Sequence, residues 1–156
     1  MIDIDIPRFG ELKLEHIVLD FNGTLAVDGS LLPGIDDMLT ELAEHVTVHV
    51  LTADTFGNCK EILSGLPVTV MAISSSPEDE AKLDYVETLG ADACVCIGNG
   101  MNDRLMLQSS ALGIVVLGEE GLALDALGAG DIMCPDVIAA LELLQQPMRV
   151  KATLRT

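Results

Sequence analysis

Aromatic and basic residues are scarce in this chain of 156 residues, and each shortage excludes a class of protein. Phe, Tyr and Trp together make up 3% of the chain, with no Trp at all, so the core must consist mainly of aliphatic side chains. Lys and Arg number 8 against 25 Asp and Glu, which gives a net charge of −17. Nucleic acids and anionic membrane surfaces are bound through basic patches, so we expect neither as a partner.

Long apolar runs are also missing, although 49% of the residues are hydrophobic. The longest run, ALGIVVLG at 111–118, is far shorter than the roughly 20 residues that span a bilayer. Met1 leads directly into a strand-like pattern without the features of a signal peptide, so we expect a cytoplasmic protein. The length is that expected of a single domain over residues 1–156.

What the sequence does contain is a regular alternation of strand and helix patterns. Apolar and polar residues alternate in MIDIDIP and ELKLEH on either side of a turn at 8–10, which predicts an N-terminal β-hairpin. More fully apolar strand patterns follow in the segments HIVLDF, VTVHVL, VTVMAI, ACVCIG, ALGIVVLG and GDIMC.

Helical spacing of apolar residues separates several of these strands. A first helix is predicted from Ile35, Met38, Leu39 and Leu42, and a second from the apolar residues of 62–66. A third helix follows Pro77 and ends at Gly90, and DVIAALELLQQ forms the last. Strands that are apolar on both faces and alternate with helices predict an α/β fold, with a Rossmann-like parallel sheet between two layers of helices.

Polar residues stand where these strands end. Asp20 ends the first core strand, Thr52 the second, and Asn99 and Asp103 follow the CIG strand, while Lys82 lies early in the preceding helix. Ligands of parallel sheets bind at the carboxyl ends of the strands, where these side chains can converge. A carboxylate there is a potential nucleophile for phosphoryl transfer, and hydroxyl, ammonium and backbone N–H groups can hold the phosphoryl oxygens.

The segment LDFNGTL forms a turn after Asp20 in which an anion could be held. Asn22 occupies the position where such loops usually carry a second carboxylate. Taken singly, each residue of this set has an ordinary explanation, such as a turn-forming Asx residue, a helix cap or a solvated lysine. The combination, the order and the placement at strand ends favour a site.

The segments VLDFNGTL, VLTAD and IGNGMNDRLML, together with Lys82, resemble the four motifs of the haloacid dehalogenase superfamily. The likeness is greatest to the phosphorylation domain of P-type ATPases, and it covers roughly residues 17–144. The resemblance implies a Rossmann-like fold, with Asp20 as the nucleophile and with Thr52 and Lys82 on the phosphoryl group.

The same resemblance implies a Mg²⁺ site made of Asp20, Asp103, Asn99 and the backbone carbonyl of Asn22. Two residues depart from the family pattern. Asn22 replaces the general acid and base of the family's phosphatases, and Asn99 replaces the first carboxylate of the fourth motif. We therefore expect slow turnover and weak Mg²⁺ binding.

The intervals from Asp20 to Thr52 and from Thr52 to Lys82 leave no room for an inserted cap domain. By resemblance, capless members close their site with a neighbouring subunit or a large substrate. A phosphorylated small molecule or a phosphoprotein is thus the expected partner. The apolar face of the N-terminal hairpin is covered either by its own domain or by a second copy in a homo-oligomer.

Several functions are compatible with these residues. The leading one is a Mg²⁺-dependent phosphatase or phosphotransferase acting through Asp20. The alternative is a catalytically degenerate domain that binds phosphate or a protein partner, which both Asn replacements favour. Carbon–halogen hydrolysis would use the same Asp20 but normally needs a cap. A receiver-like phosphoacceptor domain normally has its acidic pair before the nucleophile, whereas Asp103 follows it.

Overall fold

The computed structural model describes residues 1–53, 58–73 and 77–156. Within these ranges the strands are β1 (Ile2–Ile6), β2 (Gly10–Leu14), β3 (His16–Asp20), β4 (Ala26–Val27), β5 (Ser30–Leu31), β6 (Thr47–Thr52), β7 (Val68–Ala72), β8 (Cys94–Gly98), β9 (Leu112–Val116) and β10 (Ile132–Cys134). The α-helices are α1 (Ile35–Ala43), α2 (Cys59–Ile62), α3 (Glu78–Leu89), α4 (Arg104–Ser109), α5 (Leu124–Leu127), α6 (Val137–Gln145) and α7 (Pro147–Leu154).

A six-stranded sheet forms the centre of the fold, in the order β10-β9-β8-β3-β6-β7. All neighbouring strands in it run parallel, which confirms the predicted parallel sheet. β3 lies between β6 and β8, so the chain leaves it first towards one edge and later towards the other. Ligands of doubly wound sheets bind at this kind of reversal, and Asp20 ends the strand at which it occurs.

Helices cover both faces of the sheet and give the predicted three layers. α1 and α6 pack on one face, and α3 and α4 pack on the other. The side chains of β6 alternate between the two apolar cores, with Val48 and Val50 in one and Leu51 in the other. Strands buried on both faces in this way need apolar residues at almost every position, as the sequence has.

The N-terminal hairpin is confirmed, with Ile2 opposite Leu14 and Ile6 opposite Gly10. Its apolar residues Ile2, Ile4 and Ile6 are buried in the core of the same chain, and α7 contacts β1. The hairpin therefore offers no exposed apolar face for a second copy to cover. Of the two alternatives for covering this face, the structure has the hairpin packed on its own domain, and a homo-oligomer stays a prediction without this argument.

The structure differs from the sequence prediction in three local elements. The second helix ends at Ile62, because Leu63 and Leu66 belong to a turn closed by the Leu66 N–H on the Leu63 carbonyl, 3.1 Å away. The small hairpin of β4 and β5, as well as α7, had no clear pattern. Only β4, β5 and α1 lie between β3 and β6, so the fold has no cap there. None of the helices in the described ranges is long and apolar enough to cross a bilayer.

Candidate active site

A tight turn follows Asp20 at the end of β3. The Phe21 carbonyl oxygen accepts hydrogen bonds from the backbone N–H groups of three residues, Thr24, Leu25 and Ala26. The N–H of Gly23 donates to the Ala26 carbonyl at 2.8 Å. These bonds fix the backbone directly after Asp20, so the candidate nucleophile stands on a rigid support.

Asp20 and Asp103 share a buried lysine. The Lys82 ammonium donates to Asp20 Oδ1 at 2.6 Å and to Asp103 Oδ1 at 2.7 Å. The side chains of Lys82 and Asp103 are 0% exposed, and that of Asp20 is 8% exposed. The prediction that Asp20, Lys82 and Asp103 converge at the carboxyl end of the sheet is thus realised in the geometry.

Burial dominates the electrostatics of this triad. Burial, and after it the charge of Asp103, raises the pKa of Asp20 from 3.8 to about 7, although Lys82 acts in the opposite direction. Burial alone would lower the pKa of Lys82, but the two carboxylates outweigh it and raise the pKa above its usual value. The lysine therefore stays charged, whereas the ionised form of Asp20 is less stable in the folded protein than in water.

Asp103 is held by the loop that carries it. Its Oδ2 accepts hydrogen bonds from the backbone N–H groups of Asn99 at 3.0 Å and Gly100 at 2.8 Å. A Cβ at Gly98 would lie 2.5 Å from Asp103 Cγ, so a glycine is required at the end of β8. Both carboxylate oxygens of Asp103 thus have protein donors, and its role as a metal ligand stays a prediction.

Asn99 connects three segments of the chain. Its Oδ1 accepts from the Thr24 hydroxyl at 3.3 Å, and its Nδ2 donates to the Gly121 carbonyl at 3.0 Å. Its own carbonyl accepts from the N–H of Ala123 at 2.9 Å. Because a carboxylate oxygen could not donate to the Gly121 carbonyl, the amide suits this position better than a carboxylate.

The loop after β9 lies against the turn that follows Asp20, at Gly23. Gly23 has φ +82°, and a Cβ there would lie 2.7 Å from Asn99 Nδ2 and 3.0 Å from Glu120 Oε2. The other oxygen of Glu120, Oε1, accepts from the backbone N–H of Asp28 at 3.2 Å. Gly23 is therefore required both by its backbone conformation and by the close approach of two side chains.

Asn22 and Thr52 complete the predicted set. Asn22 is exposed in the turn two residues after Asp20, and its amide cannot serve as a general acid or base. Thr52 is buried at the end of β6, one residue beyond Leu51, which pairs with Asp20 across the two strands. Both residues therefore lie at the carboxyl edge of the sheet near Asp20, and their roles stay predictions.

Sequence reasoning missed the part of the site that follows β9. Gly121 holds the Asn99 amide, and Glu120 lies beside Gly23. The signal available was the segment GEEG, which follows an apolar strand of the parallel sheet and so must lie at the ligand-binding edge.

The residues around Asp20 offer oxygen ligands of the kind that Mg²⁺ binds. The candidates are the carboxylates of Asp20 and Asp103, the amide oxygen of Asn99 and the backbone carbonyl of Asn22. In residues 1–53, 58–73 and 77–156 no group of three or more His, Cys, Asp or Glu is arranged to hold a metal ion. Mg²⁺ commonly uses only one or two carboxylates together with water and substrate phosphate, so this donor set fits a weakly held Mg²⁺.

Two curated proteins are similar to this chain in sequence. The uncharacterized protein MJ0073 of Methanocaldococcus jannaschii is 40% identical over 82 residues, which cover 50% of this chain and 88% of that protein. The uncharacterized protein MJ0072 of the same organism is 46% identical over 39 residues, which cover 25% of this chain and 89% of that protein. No family model matches the chain.

Two of the solved structures with the same fold are phosphatases. The cobalt-bound deoxy-D-mannose-octulosonate 8-phosphate phosphatase of Haemophilus influenzae has a TM-score of 0.72 at 13% identity, covering 92% of this chain and 94% of that chain. The 3-deoxy-D-manno-octulosonate 8-phosphate phosphatase of Moraxella catarrhalis, in complex with a magnesium ion, a phosphate ion and a KDO molecule, has a TM-score of 0.67 at 15% identity, covering 86% of this chain and 87% of that chain. At these identities the likeness establishes the fold.

Proposed function

We propose a phosphohydrolase activity for this chain, which belongs to the same family as the Methanocaldococcus jannaschii protein MJ0073 and has the capless fold of the haloacid dehalogenase superfamily. The reaction would be Mg²⁺-dependent and would pass through an aspartyl phosphate on Asp20. The substrate would be a phosphorylated small molecule or a phosphoprotein. The observation that carries the proposal is the buried contact of Lys82 with both Asp20 and Asp103 at the carboxyl ends of parallel strands.

The first step would transfer the phosphoryl group to Asp20. The Lys82 ammonium, the Thr52 hydroxyl and the backbone N–H groups of the turn would hold the phosphoryl oxygens, whose charge they stabilise. A carboxylate oxygen of Asp20 would form a bond to phosphorus as the bond from phosphorus to the leaving oxygen breaks. The leaving oxygen takes its proton from water, because Asn22 has none to give.

The second step would hydrolyse the aspartyl phosphate. A water oxygen attacks phosphorus, the bond from phosphorus to the Asp20 oxygen breaks, and inorganic phosphate leaves. The proton of the attacking water passes to solvent, since Asn22 cannot accept it. A positioned general acid or base is worth about 10²–10⁴-fold in rate, so both steps should be slow in this chain.

The residues around Asp20 that would hold Mg²⁺ are Asp20 itself, Asn99, the Asn22 carbonyl and Asp103. When bound, the ion would neutralise phosphoryl charge and favour the ionised form of Asp20. The protein alone opposes that ionised form, because burial and Asp103 raise the pKa of Asp20 to about 7. Substrate binding and metal binding should therefore assist each other.

The second candidate is a domain that binds phosphate or a protein partner without turnover. The two Asn residues favour it, since Asn22 lacks acid–base function and Asn99 is engaged in hydrogen bonds to Thr24 and Gly121. Such a domain would keep the lysine and the turn as an anion site. It would need no nucleophile, so loss of the Asp20 carboxylate would leave its binding intact.

A screen of aryl, acyl and alkyl phosphates with and without Mg²⁺ tests the proposal, with Asp20→Asn as the blank. We expect turnover of acyl and aryl phosphates in the native protein and none in the variant. Intact-mass spectrometry after acid quench should show a phosphoryl adduct that Asp20→Asn lacks. Phosphate binding without turnover, unchanged in Asp20→Asn, would establish the binding domain instead.

A further inference from the structure

We infer that Glu120 supplies the negative charge that Asn99 lacks, and that it acts as the positioning carboxylate of the candidate Mg²⁺ site. The inference rests on the proposed metal-dependent function and extends it to a loop outside the four motifs. Glu120 would act on the bound ion through a bridging water or through its negative charge, without touching Asp20.

The position of Glu120 is set by two contacts. Its Oε1 accepts from the backbone N–H of Asp28 at 3.2 Å, which ties the carboxylate to the small hairpin of β4 and β5. Its Oε2 faces the turn that follows Asp20, 3.0 Å from the point where a Cβ of Gly23 would lie. The carboxylate therefore has one oxygen anchored and one directed towards the turn that carries Asp20.

The amide of Asn99 also lies close to the position that a Cβ of Gly23 would occupy. Asn99 Oδ1, the proposed metal ligand, lies 3.0 Å from it, as does Glu120 Oε2. Asn99 Oδ1 and Glu120 Oε2 are therefore at most about 6 Å apart. That separation is within the range over which a carboxylate and a cation interact strongly, even with one water between them.

The charges of the site make this carboxylate significant. Asp20 and Asp103 together with Lys82 carry a net charge of only −1 when Asp20 is ionised, and Asn99 adds none. Cation affinity of oxygen sites is tuned by the number of charged ligands. Glu120 adds a second net negative charge beside the turn. A carboxylate at position 99 would add the same charge, but it would face the Gly121 carbonyl.

Glu119 is a matched control. It precedes Glu120 in the same loop and is also exposed, and it lines a cleft of about 310 Å³ together with Gly23 and Thr24. The carboxylate that accepts from the Asp28 N–H is that of Glu120. Glu119→Gln and Glu120→Gln change the net charge of the protein equally. Gln at position 120 keeps an oxygen that can accept from Asp28 N–H, so the loop keeps its anchor.

Calorimetric titration of the full chain with Mg²⁺ tests the inference. We expect Glu120→Gln to weaken Mg²⁺ binding about tenfold, the lower end of the effect of groups that support metal ligands without binding the ion. Glu119→Gln should change it less than about twofold, and Glu120→Asp, which keeps the charge, should lose less than Glu120→Gln. Unfolding free energies without Mg²⁺ should be similar for all of these proteins.

Three results would overturn the inference: equal losses in Glu119→Gln and Glu120→Gln, equal losses in Glu120→Asp and Glu120→Gln, or no Mg²⁺ binding by the native protein at millimolar concentrations. The substrate screen separates this inference from the proposed function. Native turnover with unchanged Mg²⁺ affinity in Glu120→Gln removes the inference and keeps the function. Absence of native turnover together with weakened Mg²⁺ binding in Glu120→Gln keeps the inference and removes the proposed function.

Discussion

Replacing the candidate nucleophile by its neutral isostere, Asp20→Asn, should stabilise the protein at pH 8 in the absence of metal. Burial and the charge of Asp103 raise the pKa of Asp20 from 3.8 to about 7. A carboxyl group with a raised pKa favours folding while it is protonated, fully below its unfolded pKa. That contribution is lost as the pH rises through about 4 to 7, so at pH 8 the ionised carboxylate opposes folding.

The size of this effect follows from the same pKa values. A rise from 3.8 to about 7 corresponds to at most about 4 kcal/mol. The Asn side chain keeps an oxygen that can accept from Lys82, and local relaxation reduces the difference. We therefore expect Asp20→Asn to raise the free energy of unfolding at pH 8 by about 2 kcal/mol, and to reduce its decline between pH 5 and 8.

Urea unfolding at pH 5 and pH 8 without divalent metal measures both quantities. Asp103→Asn serves as the comparison variant. Its NH₂ group is a donor and would face either the Lys82 ammonium or the N–H groups of Asn99 and Gly100, which are donors as well. That variant should lose about 2–4 kcal/mol. If Asp20→Asn is less stable than the native protein at pH 8, or keeps the full pH dependence, the electrostatic reasoning about the triad is wrong.

Three other predictions concern single residues. His49 is buried, and burial, followed by the charge of His16, lowers its pKa from 6.5 to about 4. The free energy of unfolding should therefore fall by up to about 3 kcal/mol as the pH drops from 6.5 to 4. Urea unfolding of His49→Gln over this range should show a smaller decline. Asn22→Asp should raise turnover of alkyl phosphates by up to ~10² and that of acyl phosphates by less, as steady-state kinetics would show. Asn99→Asp should bind Mg²⁺ more tightly in a calorimetric titration, and unchanged or weaker binding would remove Asn99 from the ligand set. Without metal the variant should lose about 1–2 kcal/mol of unfolding free energy, because its oxygen would face the Gly121 carbonyl.

The sequence predicted the sheet and most of the candidate site because both follow from strong local patterns. Strands buried on both faces are apolar throughout, and parallel strands end at one edge, so Asp20, Thr52, Lys82, Asn99 and Asp103 could be placed together before any contact was known. The resemblance to the haloacid dehalogenase superfamily depends on the same residues. Their order along the chain was thus enough to predict where they meet.

Short elements escaped prediction for an equally local reason. β4 and β5 have two residues each, so they show no period that could be recognised. The four residues of α2 overlap the predicted second helix only at Ile62. The hairpin of β1 and β2 was predicted, but its partner was not, because an apolar strand face is buried equally well by its own domain or by a second copy. Only the tertiary structure shows that the core of the same chain covers it.

Contacts between distant segments were likewise decided by the tertiary structure. The Thr24 hydroxyl meets the Asn99 amide, the same amide meets Gly121, and Glu120 reaches the hairpin at Asp28. These contacts depend on how three loops leave neighbouring strands, and no periodicity in the chain encodes that geometry. The sequence by itself therefore determined which side chains stand at the carboxyl edge of the sheet, while the packing of the loops decided that Asn99 is held as an amide and that Glu120 lies beside it.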